Sequence, residues 1–141
     1  MRNVNPHLFV KEEKEHAGRG TETILLVEDE IGVRTLASRI LRDRGYNVIE
    51  AGEGLEALRL AEGYSDEIHL IVTDVVMPGM SGSVLVSKLE NARPGIKALY
   101  ISGYTDDAIV RHGIRDSNIA FLEKPFSVYQ ITTKVREVLK S

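Results

Sequence analysis

Cysteine is missing from all 141 residues. Its absence excludes disulfides, thiolate metal sites and a cysteine nucleophile, and it suits a reducing compartment. Long apolar runs are missing as well. No stretch reaches the roughly 18 consecutive apolar residues of a membrane-spanning helix. Nor does a charged start lead into the apolar core of about 7 to 15 residues that marks a secretory signal. Membrane insertion is therefore not expected, and a cytoplasmic location is. Basic charge is not in excess: 18 Lys and Arg lie among 21 Asp and Glu, for a net charge of -3. Direct nucleic-acid binding would need a clustered basic face to neutralise phosphates, and none is written here.

What is present suits an ordinary soluble domain, with 43% hydrophobic and 28% charged residues. The length fits one domain that buries roughly two-thirds of its unfolded surface. The first 22 residues stand apart. Lys11, Glu12, Glu13, Lys14, Glu15 and His16 form a charged run closed by Gly18, Arg19 and Gly20, which reads as a flexible linker or tail ahead of a domain over 23–141.

From Thr23 onward, short apolar runs alternate with stretches of helical period. Ile24 to Val27 reads as a strand, and Val33, Leu36, Ala37, Ile40 and Leu41 as the inner face of a helix stopped at Gly45. Asn47 to Ile49 gives a second strand, and Leu55, Leu58 and Ala61 a second helix ending near Gly63. His69 to Val72 is the third strand, followed by a Met77-Pro78-Gly79-Met80 turn and a helix capped by Ser81 that runs through Leu89. Ala98 to Ile101, a short helix from Thr105 to about Arg111, and Ile119 to Leu122 come next. Ser127 caps a last helix with Val128, Ile131, Val135, Val138 and Leu139 on one face. Strands this apolar, each followed by a helix, predict an α/β fold: a doubly wound, five-stranded parallel sheet covered on both sides.

In such a sheet all strand carboxyl ends share one edge, and ligands bind in the crevice there. That edge collects Glu28 and Asp29 after the first strand, Asp74 after the third, Ser102 and Gly103 after the fourth, and Lys124 with Pro125 after the fifth. Taken singly, an acid at a strand end caps the next helix more often than it does chemistry, and a lone lysine is usually solvated. Together the residues point elsewhere. Carboxylates about 4 to 5 Å apart repel by roughly 3 to 4 kcal/mol per pair at an effective dielectric near 20, so a cation belongs among them. Carboxylate oxygens plus waters and phosphate oxygens describe a magnesium site, and an aspartate can attack phosphorus to give an acyl phosphate. Asp74 suits the nucleophile, because Glu28 and Asp29 are adjacent and better placed to hold Mg2+.

The segments Ile24 to Glu30 (ILLVEDE), Ile71 to Gly82 (IVTDVVMPGMSG), Tyr100 to Tyr104 (YISGY) and Phe121 to Phe126 (FLEKPF) resemble, in order and spacing, the response-regulator receiver family of two-component signalling. The resemblance covers about Thr23 to Lys140. It implies a CheY-like, flavodoxin-like fold with strand order 2-1-3-4-5 and five helices. It also implies phosphorylation of Asp74 and a magnesium site made by Glu28, Asp29, Asp74 and the main-chain carbonyl of Val76. Ser102 and Lys124 would contact the phosphoryl oxygens, and the Lys124–Pro125 bond would be cis. With Glu28 where many members have aspartate, Asp29 is expected as the direct ligand and Glu28 as one acting through water.

The resemblance further implies a switch in which Ser102 moves toward the phosphoryl group and Phe121 rotates inward. The surface that changes is made by the 105–111 helix, the last strand and the last helix; the bland reading of Phe121 is a plain core aromatic. The expected donor is a histidine kinase or phosphotransfer domain, and the chain, a monomer or weak dimer, is a signalling domain that catalyses only its own phosphorylation and dephosphorylation. A charged stretch before the domain and nothing after its last helix suggest the C-terminal receiver of a hybrid sensor kinase, with a free-standing regulator as the alternative.

One rival reading is a dinucleotide-binding domain. Gly52, Gly54 and Ala57 spell G-x-G-x-x-A between a strand and a helix, with Asp74 22 residues beyond Gly52. Glu50, Glu53 and Glu56 crowd the place a pyrophosphate would take, and that reading leaves Glu28, Asp29 and Lys124 idle. A second rival, an interaction module that kept the fold and lost the chemistry, is opposed by the intact acids, serine and lysine.

Overall fold

The computed structural model describes residues 19–103 and 119–141. Along the chain come β1 (Thr23–Val27), α1 (Ile31–Asp43), β2 (Asn47–Ala51), α2 (Gly54–Gly63), β3 (Leu70–Asp74), α3 (Gly82–Ala92), β4 (Lys97–Ser102), β5 (Ala120–Glu123) and α4 (Val128–Lys140). The helix expected between Thr105 and Arg111 lies outside the described residues. The strands form one sheet in the order β2-β1-β3-β4-β5, every neighbouring pair parallel.

Two apolar layers follow from the strict alternation of side chains along a strand. Leu25, Val27, Ile71 and Tyr100 face one way and pack with Ala57 and Ala61 of α2 and Leu85, Val86 and Leu89 of α3. Ile24, Leu26, Leu70, Val72, Leu99 and Ile101 face the other way and meet Ala37, Ile40 and Leu41 of α1 and Ile131, Val135 and Val138 of α4. Central β1 and β3 are buried along their whole length, as strands covered on both faces must be. Each fully buried Leu or Ile contributes about 1.5 to 3 kcal/mol of transfer free energy.

Local chemistry stops α1 and starts α3 and α4 where the sequence predicts, while α3 runs on to Ala92, past the expected Leu89. Gly45 has φ +100, a left-handed conformation costly for residues with a β-carbon, and it follows the last turn of α1. Ser81 Oγ accepts from Val84 N–H at 3.3 Å at the start of α3. Ser127 and Gln130 form a reciprocal capping box at the start of α4. Neither Asp29 nor Asp74 is a helix cap: the N-cap residues of α1 and α3 are Glu30 and Ser81. Upstream of β1, Gly20 N–H donates to Arg44 O at 3.1 Å. Arg136 of α4 grips Glu22 with two guanidinium nitrogens, at 3.1 and 2.6 Å. These bonds fasten residues 19–22 to the body of the domain.

Candidate functional site

Strand register assembles the site before any side chain is considered. Val27 lies beside Thr73, Asp74 beside Ile101, and Ser102 beside Glu123. One step further along each strand, Glu28 comes level with Asp74, Ser102 lies just past it, and Lys124 follows. The sheet order reverses its direction of growth between β1 and β3, which opens the crevice between their carboxyl ends. Gly82 lets α3 start tight under this edge, donating its N–H to Val75 O at 2.9 Å.

Glu28, Asp29 and Asp74 each offer a carboxylate oxygen, and these oxygens all lie within 4.8 Å of one another. Glu28 is fully buried and Asp74 nearly so, whereas Asp29 is exposed. Lys124 Nζ reaches in from the β5 end, 2.8 Å from Glu28 Oε1, 3.0 Å from Asp74 Oδ1 and 3.1 Å from Glu30 Oε1. The Glu28 contact counts as an ion pair and not as a hydrogen bond, and among the described residues neither buried oxygen, Glu28 Oε1 or Asp74 Oδ2, has a hydrogen-bond partner. Burial first, and then the neighbouring Glu28, push the Asp74 carboxyl well above the ordinary carboxylate range, with Lys124 pulling the other way. Burial pulls the Lys124 ammonium down, but Glu28, Asp74 and Glu30 outweigh it and hold its pKa above the usual lysine value.

Among the described residues one ammonium faces these acids, too little positive charge for so many. Two buried carboxylate oxygens without hydrogen-bond partners, and an exposed third acid beside them, are the donor set of a hard divalent cation that keeps some of its waters. The residues fit magnesium.

The other expected site residues fall around this cluster. Ser102 is buried at the last position of β4, and its carbonyl accepts from Lys124 N–H at 2.9 Å, which ties the lysine to the serine strand. Val76 is 44% exposed two residues beyond Asp74, in the loop before α3. The Lys124–Pro125 peptide is cis. Phe121 sits farther back on β5, beside Tyr100, with ring centroids 5.7 Å apart and planes tilted by 33°. It is half-buried against the α2/α3 layer.

Two contributors were not singled out from sequence. Arg34 Nη1 donates to the Glu28 carbonyl at 2.7 Å while its Nε lies 3.8 Å from Glu50, so α1 braces the chain where it leaves β1. Glu30 was visible only as the last letter of ILLVEDE, and nothing local distinguishes it from a helix-capping acid. The Gly52-x-Gly54 turn is not a phosphate cradle. Gly52 N–H donates to Glu56 Oε1 at 2.6 Å, so a carboxylate already holds the amide a pyrophosphate would need. The turn also follows β2, at the sheet edge rather than in the crevice. The dinucleotide reading therefore finds no support.

A doubly wound sheet of order 2-1-3-4-5 with acids and a lysine on its carboxyl edge defines a class of phosphate-handling switch domains. Residues 24–136 match the family model described as response regulator receiver domain, and the chain belongs to that family. It is a receiver domain of two-component signalling. It is 46% identical over 121 residues to the sensor kinase CckA of Brucella abortus, which covers 86% of this chain but 13% of that protein. The solved receiver domain of the hybrid histidine kinase CckA aligns at a TM-score of 0.69 and 35% identity, over 83% of this chain and 98% of that one. Vibrio cholerae chemotaxis protein CheY4 aligns at 0.74 and 27%, over 84% and 99%. Among the described residues no helix is long and apolar enough to cross a membrane.

Proposed function

We propose that Asp74 is the phosphoacceptor, taking a phosphoryl group from the phosphohistidine of a kinase or phosphotransfer domain. In that step an Asp74 carboxylate oxygen bonds to phosphorus as the nitrogen–phosphorus bond breaks, and the electron pair leaves with the imidazole. Glu28, Asp29 and Asp74, with the Val76 carbonyl, would hold magnesium, which supplies positive charge to the transferring oxygens. Lys124 is placed to pair with the phosphoryl group, since it already lies 3.0 Å from Asp74 Oδ1. Ser102, one register step past Asp74, supplies a hydroxyl donor.

The observation that carries this reading is the buried pair Glu28 and Asp74, each with an oxygen lacking a hydrogen-bond partner and, among the described residues, faced by a single lysine. Such a cluster is under-neutralised by itself and is completed by cation and phosphate. The added group brings close to two negative charges and three acceptors. It would bias the domain between two states, through Ser102 and Phe121, toward a changed surface at β5 and α4. The likeness to the CckA receiver supports a parent of the sensor histidine kinase kind, and a cytoplasmic location is part of this proposal.

Incubation with acetyl phosphate and magnesium, followed by intact-mass measurement, should show one added phosphate that disappears in Asp74→Asn. Full uptake persisting in Asp74→Asn would refute the assignment.

A further inference from the structure

We infer that Glu30 is a positioning residue that competes with the incoming phosphoryl group for the Lys124 ammonium. The inference rests on the reading of Asp74 as phosphoacceptor and adds a determinant of how readily that site takes its group.

Glu30 occupies the N-cap position of α1, yet its side chain makes no capping bond. Its own N–H is taken by Glu28 Oε2 at 3.1 Å. The freed carboxylate instead accepts from Lys124 Nζ at 3.1 Å, across 94 positions of sequence. Three carboxylates, those of Glu28, Asp74 and Glu30, lie within 3.1 Å of this ammonium. In this geometry the aligned hydrogen bond goes to Glu30, and a phosphoryl oxygen that pairs with Lys124 displaces whichever of these crowded contacts is most easily released.

Burial decides which one withdraws. The side chains of Glu28 and Asp74 are 0% and 4% exposed, so releasing either would strand a carboxylate without water. Glu30 is 63% exposed and can swing into solvent, where hydration replaces the lost contact. Glu30 is therefore the partner that leaves. Until it does, it holds the ammonium at the mouth of the site and lowers the affinity for the phosphoryl group.

The test is the binding of beryllium fluoride, a phosphoryl stand-in, at saturating magnesium, measured by titration calorimetry on the full chain. Glu30→Gln keeps the size and an acceptor oxygen but removes the charge; Glu30→Ala serves as a second variant. Each should tighten beryllium fluoride binding by roughly two- to fivefold, the scale of a part-exposed ion pair. In a Lys124→Ala background the same substitutions should change it by less than about 1.5-fold, because the coupling runs through the lysine. Magnesium affinity, titrated separately, should move less than beryllium fluoride affinity. An equal gain in both backgrounds, or no gain in either, overturns the inference while leaving the phosphoacceptor reading in place. Failure of the unsubstituted chain to bind beryllium fluoride with magnesium would remove that reading, and the inference with it.

Discussion

Gly82 lies so close to the main-chain carbonyl of Asp74 that a β-carbon on it would overlap that oxygen and crowd Val75. The contact is backbone against backbone, with no flexible side chain able to yield. It joins the start of α3 to the end of β3, the strand end that presents the Asp74 carboxylate.

Gly82→Ala should therefore act on stability and on the site together. Forcing the helix start away from β3 is an overpacking change, expected to cost about 1 to 3 kcal/mol. Urea denaturation should show that loss, and calorimetric titration a weaker magnesium affinity. Gly32, whose β-carbon would meet nothing, is the control: Gly32→Ala should be neutral or stabilising.

Lys124→Ala removes the ammonium from among Glu28, Asp74 and Glu30, leaving two nearly buried carboxylates without counter-charge. In chelator the variant should lose about 2 to 4 kcal/mol, and saturating magnesium should restore much of it, because the cation replaces the missing charge. Thermal melts with and without magnesium read this directly. Equal destabilisation in both conditions would show that the lysine acts through packing alone. The response to beryllium fluoride should suffer more than magnesium binding does.

The Glu22–Arg136 fork has a pH signature of its own. The hydrogen-bonded guanidinium lowers the Glu22 carboxyl from 4.5 to about 2, against a smaller opposing effect of burial. A carboxylate depressed on folding stabilises above its unfolded pKa, and that stability is lost as pH falls through the folded value. Glu22→Gln should thus cost on the order of 1 kcal/mol near neutrality, with screening taken into account. The gap to the unsubstituted chain should close between about pH 4.5 and pH 2. A gap that stayed constant over that interval would contradict the fork's role.

Much of the fold was legible because strands and helices carry different apolar periods, and because Gly45, Ser81 and Ser127 have local reasons to stop or start a helix. Strand ends were less so. Asp74 and Ser102 read as residues after their strands, yet each is the last residue within one, since parallel pairing continues past the apolar run. Glu28, Asp29, Asp74 and Lys124 were legible as a set because they fall on strand ends that topology brings to one edge. Glu30 and Arg34 were not, because their parts depend on partners that only the folded chain supplies.

By itself the sequence determined the alternation, the two-sided burial of the strands and the acid-and-lysine edge, since each is written in local pattern and spacing. Tertiary structure alone decided that Glu28 is sealed from water while neighbouring Asp29 is open, and that Lys124 is shared among three acids. It also decided that the glycine-rich turn after β2 is filled by Glu56. Burial and charge pairing depend on atoms from distant positions arriving together, and no window of neighbouring residues contains that information.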